Sequence, residues 1–419
     1  MHNECSVCLS PYTNPHILNC GHSLCLVCIQ EIKAHAPRDA SCPECRQIIT
    51  RYTPNYALNV DDTFKAEENI DKMNFGNKMK AIIHDNSGSM RQQDGAVIEI
   101  EHNGSIVSKE GKFRYEEANQ RTMMAVEQSI DDEQEITVYL LNPVNSTNHG
   151  EWVENEDFVT LNKENYDEKK PYLHALLSPR NIHGRTPLPD ITRKITTVAK
   201  EKYKTNKKDF KLTLIFNTDG EPNDPNAFER ELKMLIRAVP CIILFNVITD
   251  DQHIVNYYDD IDVNLNKGNE ETCAIIDTMD DYNSEAVQVF KQNPEFVYTL
   301  QMHQWRISGH DHIVLDMMDE KPLTPFYRHI LTKLILKNNT GMSELPERDD
   351  PTYYDVLEKI AMKNIVFDPI SKTFKPFINI NALKRKKYFD TLRKHFMENL
   401  LSFSIIVVIV INIFMFLIL

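Results

Sequence analysis

The sequence predicts a multidomain α/β chain: a small metal-stapled module, then a doubly wound sheet domain, then a C-terminal transmembrane helix. Three observations predict it. Seven of the nine cysteines fall within residues 5–45. Residues 78–299 alternate short apolar runs with helical stretches, the pattern of a sheet with helices on both faces. Residues 400–419 form an almost unbroken apolar run. A length of 419 residues suits roughly two to three domains. The formal net charge of -14 disfavours a nucleic-acid partner, which wants a basic face.

The cysteines run Cys5-x2-Cys8, then Cys20-x-His22-x2-Cys25-x2-Cys28, then Cys42-x2-Cys45. Each Cys-x2-Cys or Cys-x-His step places two ligands on one tight turn, both able to reach one tetrahedral metal. Eight ligands in four pairs make two closed zinc sites, which are structural rather than catalytic. About 45 residues cannot bury enough apolar surface to fold unaided, so metal binding must supply the folding free energy. A disulfide framework would need an oxidising compartment and would leave the histidine without a role.

The strings CSVC, NCGHSLCLVC and CPECR resemble a RING finger. The resemblance implies a cross-brace: Cys5, Cys8, Cys25 and Cys28 on one zinc, and Cys20, His22, Cys42 and Cys45 on the other. It also implies a ubiquitin-conjugating enzyme and ubiquitin as partners. RING ligases dock that enzyme on apolar residues at the places held here by Val7 and Ile32, and on a proline at the place of Pro43. Arg46 stands where they carry a basic linchpin. Its guanidinium has five donors in a fixed fork and no acceptor, so it can bond both partners together. A RING has no nucleophile, so catalysis would be orientation. His16 and His35 match no ligand position and are expected on surface loops. Residues 51–77 read as a polar linker.

A second site begins with the apolar strand 81–83, which runs into Asp85-Asn86-Ser87-Gly88-Ser89. A later apolar strand, 211–216, runs into Asn217-Thr218-Asp219-Gly220. Between them, Gly184-Arg185-Thr186 opens a helical stretch. An apolar run followed by a polar turn is how an α/β sheet presents a ligand site at a strand's carboxyl end. These three pieces resemble the metal-ion-dependent adhesion site of von Willebrand factor type A domains, a Rossmann-like doubly wound fold. The resemblance implies Asp85, Ser87, Ser89, Thr186 and Asp219 as ligands. All are oxygen donors, which suits magnesium, calcium or manganese. It also implies one coordination position left for the carboxylate of an acidic-residue-bearing protein partner. Arg185 departs from the family, which often has glycine there; a cation beside the site would favour an acidic partner or weaken metal binding. A phosphatase of the haloacid type needs a second carboxylate where Ser87 stands.

The remaining elements follow in order. Residues 96–101 alternate apolar and polar, and His102-Asn103-Gly104 precedes Ile106-Val107, so a hairpin is predicted. Residues 116–130 and 187–202 read as helices, and 136–141 and 241–248 as strands. Cys241 is then a core thiol, and Cys273 is expected to be buried. A helix at 284–291 closes the fold. Residues 300–383 look globular and carry no motif, with helical spacing at 326–337. Asp316–Asp319 and Asp349–Asp350 are expected to be solvated. His303, His310, His312 and His329 lack paired spacing and are expected to be structural or exposed. Residues 384–399 are basic, and 400–419 are long enough to cross a hydrocarbon core of about 30 Å. With no N-terminal signal peptide in view, the expectation is a single-pass, C-terminally anchored membrane protein whose N-terminal domains face the cytoplasm. The whole reads as a membrane-anchored RING ubiquitin ligase whose type A domain captures substrate or adaptor. The alternative is a non-enzymatic adhesion or scaffold protein with a structural RING.

Overall fold

The computed structural model describes residues 5–7, 15–35, 40–54, 77–144, 152–205, 210–266, 274–310, 312–337, 345–346, 348 and 350–386. The chain divides into two compact units, Met1–Phe75 and Gly76–Leu419.

In the first unit, β1 (Pro15–Leu18) pairs antiparallel with β2 (Ser23–Cys25) and with β3 (Tyr52–Pro54). One helix follows, Leu26–His35. The core is Cys5, Leu18, Leu24, Cys25, Cys28, Ile29, Cys42 and Ile49. Four of these eight are cysteines, so the apolar side chains alone are too few to hold the unit. His16 corrects its sequence reading. It is buried rather than a surface residue, and its ring meets Tyr52 edge-on at 5.7 Å, because β3 folds back over β1. The expected linker therefore starts with residues that belong to this small sheet; 55–76 lie outside the described residues.

The second unit is built on a six-stranded sheet. Its strands are β4 (Asn77–His84), β7 (Ile136–Leu140), β8 (Phe158–Leu161), β9 (Phe210–Thr218), β10 (Cys241–Val247) and β11 (Ala274–Met279). Their order is β11-β10-β9-β4-β7-β8, parallel throughout except for the edge strand β8. Period-2 alternation sends Met79, Ala81 and Ile83 to one face and Ile82 to the other. Helices Leu188–Thr205, Pro225–Ala238 and Gln252–Asn266 cover the first face. Helices Arg114–Asp131 and Tyr166–Leu176 cover the second. The hairpin of β5 (Gly95–Ile100) and β6 (Ile106–Lys112) stands outside the sheet. Cys241 is a core thiol as expected; burial pushes it up to about 12.

The helix at Tyr282–Gln292 does not close the fold. Helices Leu300–Ile307, Ile313–Glu320, Pro325–Lys337 and Tyr353–Lys363 follow, then a small hairpin. Ile307 joins the core of the second sheet face, and the Asn246 side chain donates to its carbonyl at 3.2 Å. The solvated reading of Asp319 is also corrected. It is half-buried, with its carboxylate 2.6 Å from Arg306. His303 and His329 are buried structural residues; Tyr298 and Tyr353 bond their ring nitrogens.

The expected transmembrane helix is not borne out. Among the described residues no helix is long and apolar enough to cross a membrane. The two 18-residue helices, Arg114–Asp131 and Leu188–Thr205, each carry several charged residues and pack one face on the sheet. Residues 400–419 lie outside those described. Their hydropathy reports a tendency to leave water, not a formed span. The fold class is accordingly a mixed α/β chain with no membrane helix among the described residues, and the expected single-pass anchored placement is not supported.

Candidate functional site

In the N-terminal unit the metal-binding side chains gather in two groups. Cys20, His22, Cys42 and Cys45 form one, and Cys5, Cys25 and Cys28 the other; within each, the ligand atoms lie within 4.8 Å of one another. A tetrahedron with metal–sulfur bonds of about 2.3 Å has edges of about 3.8 Å, so both groups fit a zinc ion. Cys8 lies outside the described residues. The β1–β2 turn presents Cys20 and His22. The start of the Leu26–His35 helix presents Cys28, and the Cys25 N–H points at the Cys5 sulfur at 3.4 Å. The last pair sits on a turn closed by the Arg46 N–H donating to the Cys42 carbonyl at 2.8 Å. Burial pushes the Cys42 thiol up to about 11, so it needs a cation's field to stay a thiolate at neutral pH.

Sequence reading missed Glu44. His22 turns Nδ1 toward Cys20 Sγ at 3.5 Å and Nε2 toward the Glu44 carboxylate at 3.5 Å. The nitrogen facing the metal position is thus Nδ1, and Glu44 fixes the ring from behind. Glu44 also accepts from Ser6 at 3.1 Å, joining the two ends of the module. The signal was there: a carboxylate between the last two ligands.

Val7, Pro43 and Arg46 are exposed, while Ile32 is half-buried against the zinc-module core. Arg46 has φ +62°, a left-handed backbone that few non-glycine residues adopt. The turn after Cys45 requires it and throws the guanidinium outward.

In the second unit, Asp85 follows β4 and Asp219 follows β9. These are the adjacent strands between which the sheet reverses direction of growth, the switch point where α/β sheets bind ligands. Asp85 accepts from the Ser87 N–H at 2.7 Å and from the Thr218 hydroxyl at 2.7 Å. Ser87 and Ser89 hydroxyls lie 3.0 Å apart, and Ser89 donates to Asp219 Oδ1 at 2.9 Å. Thr186 is buried beside Gly220: a Cβ built on that glycine would lie 3.9 Å from the threonine hydroxyl. The loop carrying Thr186 is held by residues to which the sequence reading gave no role. Asn86 spans from the first loop to the Asn142 and Asn181 carbonyls at 2.9 and 2.8 Å. Asn142 in turn donates to the Arg185 carbonyl at 2.8 Å. Gly184 has φ +78°, and any Cβ there would sit 2.7 Å from Asn142 Oδ1, so only glycine fits.

The five predicted oxygen donors therefore gather on one rim, and their chemistry fits a hard divalent cation. The electrostatics point the same way. Burial, then the charge of Asp219, pushes Asp85 up to about 7. Burial also raises Asp219, against the opposing pull of Arg114 and Ser89. Two carboxylates this close need a positive partner.

One is already in place, and it is not the arginine that the sequence reading weighed. Arg185 is exposed. Arg114 is buried and donates to Asp219 Oδ2 at 3.0 Å. Asp94 grips the same guanidinium at two points, 2.6 and 2.5 Å, and Thr249 accepts at 2.9 Å. A local sign was available. Arg114 opens its helix, where the dipole disfavours a cation, so something else must hold it there.

Comparison with known proteins bears on the two units unequally. Residues 1–52 match the family model for the C3HC4-type zinc finger, the RING finger. The N-terminal unit is a RING finger, and its two ligand groups suit zinc. The E3 ubiquitin-protein ligase rnf152-B of Xenopus laevis is 38% identical over 58 residues, covering 13% of this chain and 28% of that protein. The E3 ubiquitin-protein ligase TRIM65 of Mus musculus is 51% identical over 43 residues, covering 10% and 8%. The chain thus spans under a third of these relatives' own lengths. Among solved structures, the SpRpn10 VWA domain matches with 15% identity and a TM-score of 0.27, covering 48% of this chain and 87% of that one.

Proposed function

We propose that this chain is a RING-type ubiquitin ligase in which the RING recruits a charged ubiquitin-conjugating enzyme and the second unit captures substrate or adaptor. The observation that carries the reading is the pairing of two zinc-fitting clusters with an exposed Val7, Pro43 and Arg46 on the same module. Val7 and Ile32 offer the apolar contact, Pro43 shapes its edge, and Arg46 bonds ubiquitin to the enzyme. Zinc, when bound, supplies the fold and no chemistry of its own. Arg46 contributes by holding the linked ubiquitin in the reactive orientation, which lowers the entropy left to lose at attack.

For the second unit we infer a von Willebrand factor type A domain. The reading is supported by the strand order with its antiparallel edge and by the five oxygen donors at the switch point, not by overall structural likeness. An acidic side chain of the partner would bind on that rim, with Arg185 exposed beside it.

Docking is tested by titrating the full chain with a panel of conjugating enzymes. Val7→Ala is expected to weaken binding about tenfold, in line with loss of a central apolar contact of about 1–2 kcal/mol. Ile32→Ala also touches the zinc-module core, so Val7→Ala is the cleaner variant. Unchanged affinity for every enzyme that binds would place the docking surface elsewhere.

A further inference from the structure

We propose that Arg114 is the resident cation of the switch-point rim: it holds Asp219 in competition with a divalent metal, and the rim admits metal only as Arg114 lets go. The proposal rests on reading that rim as the type A capture site. Each oxygen of Asp219 already has a donor, Ser89 on Oδ1 and Arg114 on Oδ2. The donor set fits a divalent ion in kind and placement; Arg114 is the part that does not.

Arg114 is held for this position rather than left there by chance. Asp94 engages it in two parallel bonds, the geometry in which guanidinium and carboxylate match best. Thr249, from the loop after β10, fixes the same nitrogen. Asp94 is about a third exposed, whereas Asp219 has no exposed side-chain surface. The pair with Asp94 is thus open to water, so the guanidinium can keep that partner while giving up Asp219. Because the guanidinium is planar and rigid, metal arrival would move Arg114 and its Asp94 clamp together, away from Asp219 and toward the more exposed Asp94 side. The same charge also gives the rim an affinity for carboxylates with no metal at all.

The test is Mn2+ binding to the zinc-loaded full chain, read by the electron paramagnetic resonance of free Mn2+. Arg114→Gln is expected to tighten Mn2+ at least about tenfold over the wild type, because the competing charge is gone. Arg114→Lys, which keeps the charge and loses the fork, is expected to fall between them. Adding Asp219→Asn to Arg114→Gln is expected to abolish the gain. A second readout covers the variant's fold. Zinc-loaded and without added Mn2+, Arg114→Gln is expected to denature earlier than the wild type, and millimolar Mn2+ is expected to restore its midpoint while leaving the wild type nearly unmoved. Equal or weaker Mn2+ binding by Arg114→Gln, with the wild type binding, overturns the competition and leaves the metal site standing. No Mn2+ binding and no Mn2+ rescue in any form overturns the metal reading of the rim and the proposal together.

Discussion

Replacing Cys42 with serine is expected to unfold the N-terminal unit while the sheet unit stays folded. Cys42 is fully buried and belongs both to the second ligand group and to the module's core. Outside the cysteines, the buried members of that core among the described residues are only Leu18, Leu24, Ile29 and Ile49. At about 25 cal/mol per Å2, so few side chains cannot meet the ordering cost of some 50 residues. A structural zinc contributes on the order of 10–16 kcal/mol at neutral pH, and three ligands in place of four forfeit much of it. Elemental analysis should fall from two zinc ions per chain to one or fewer, and amide resonances of residues 15–54 should collapse to unfolded positions. A variant that keeps both zinc ions and a dispersed spectrum would refute the ligand assignment.

Arg306→Met is expected to destabilise the second unit by about 3–5 kcal/mol, the cost of removing one partner from a buried ion cluster. The Arg306 side chain is 1% exposed. It pairs with Glu285 and Asp319, and stands 3.7 Å from Asp277. It ties helix Tyr282–Gln292 to helices Leu300–Ile307 and Ile313–Glu320. Methionine fills the space and leaves Glu285 and Asp319 charged without a counter-ion. Burial pushes Glu285 up to about 7, and Arg306 is the main charge pulling it back down. Its folded value lies above the ordinary carboxylate value, so the ionised form is the costly one, and stability is lost as pH rises through about 7. The variant's deficit should therefore narrow on lowering the pH from about 8 to about 6, as the freed carboxyl takes up a proton. Urea midpoints at the two pH values measure this. A loss below about 1 kcal/mol, the scale of exposed pairs, would mean that the cluster is not the tie described.

Parts of this molecule were legible because chemistry or burial writes directly into the sequence. Structural zinc ligands are mostly cysteine or histidine at turn spacing, so the residues of both groups, Cys8 aside, could be picked out before folding. Strands β4, β9 and β10 are buried on both faces and read as continuous apolar runs. The rest hid for identifiable reasons. β8 has only four residues, and the Tyr166–Leu176 helix carries Pro171 inside it. In residues 300–383 the helices bury Arg306, His303, His329 and Thr332, so polar residues occupy core positions and blur the apolar period. Arg114 was out of reach because its partners Asp94, Asp219 and Thr249 lie 20, 105 and 135 residues away. The membrane helix shows the opposite failure, since an apolar run was read as a span that no described helix supplies.

Ubiquitin discharge is the most direct test of the central claim. A conjugating enzyme carrying ubiquitin as a thioester is mixed with free lysine, with or without the full chain. The wild type is expected to speed discharge. Arg46→Ala is expected to slow it about tenfold or more, the loss of one charge-assisted hydrogen bond of about 1.5–3 kcal/mol, with zinc content and enzyme docking unchanged. Alanine meets much the same backbone requirement at φ +62° as arginine does, so the comparison isolates the guanidinium. If no enzyme of a broad panel responds to the wild type, the RING is a structural module of a scaffold protein and the ligase account is wrong.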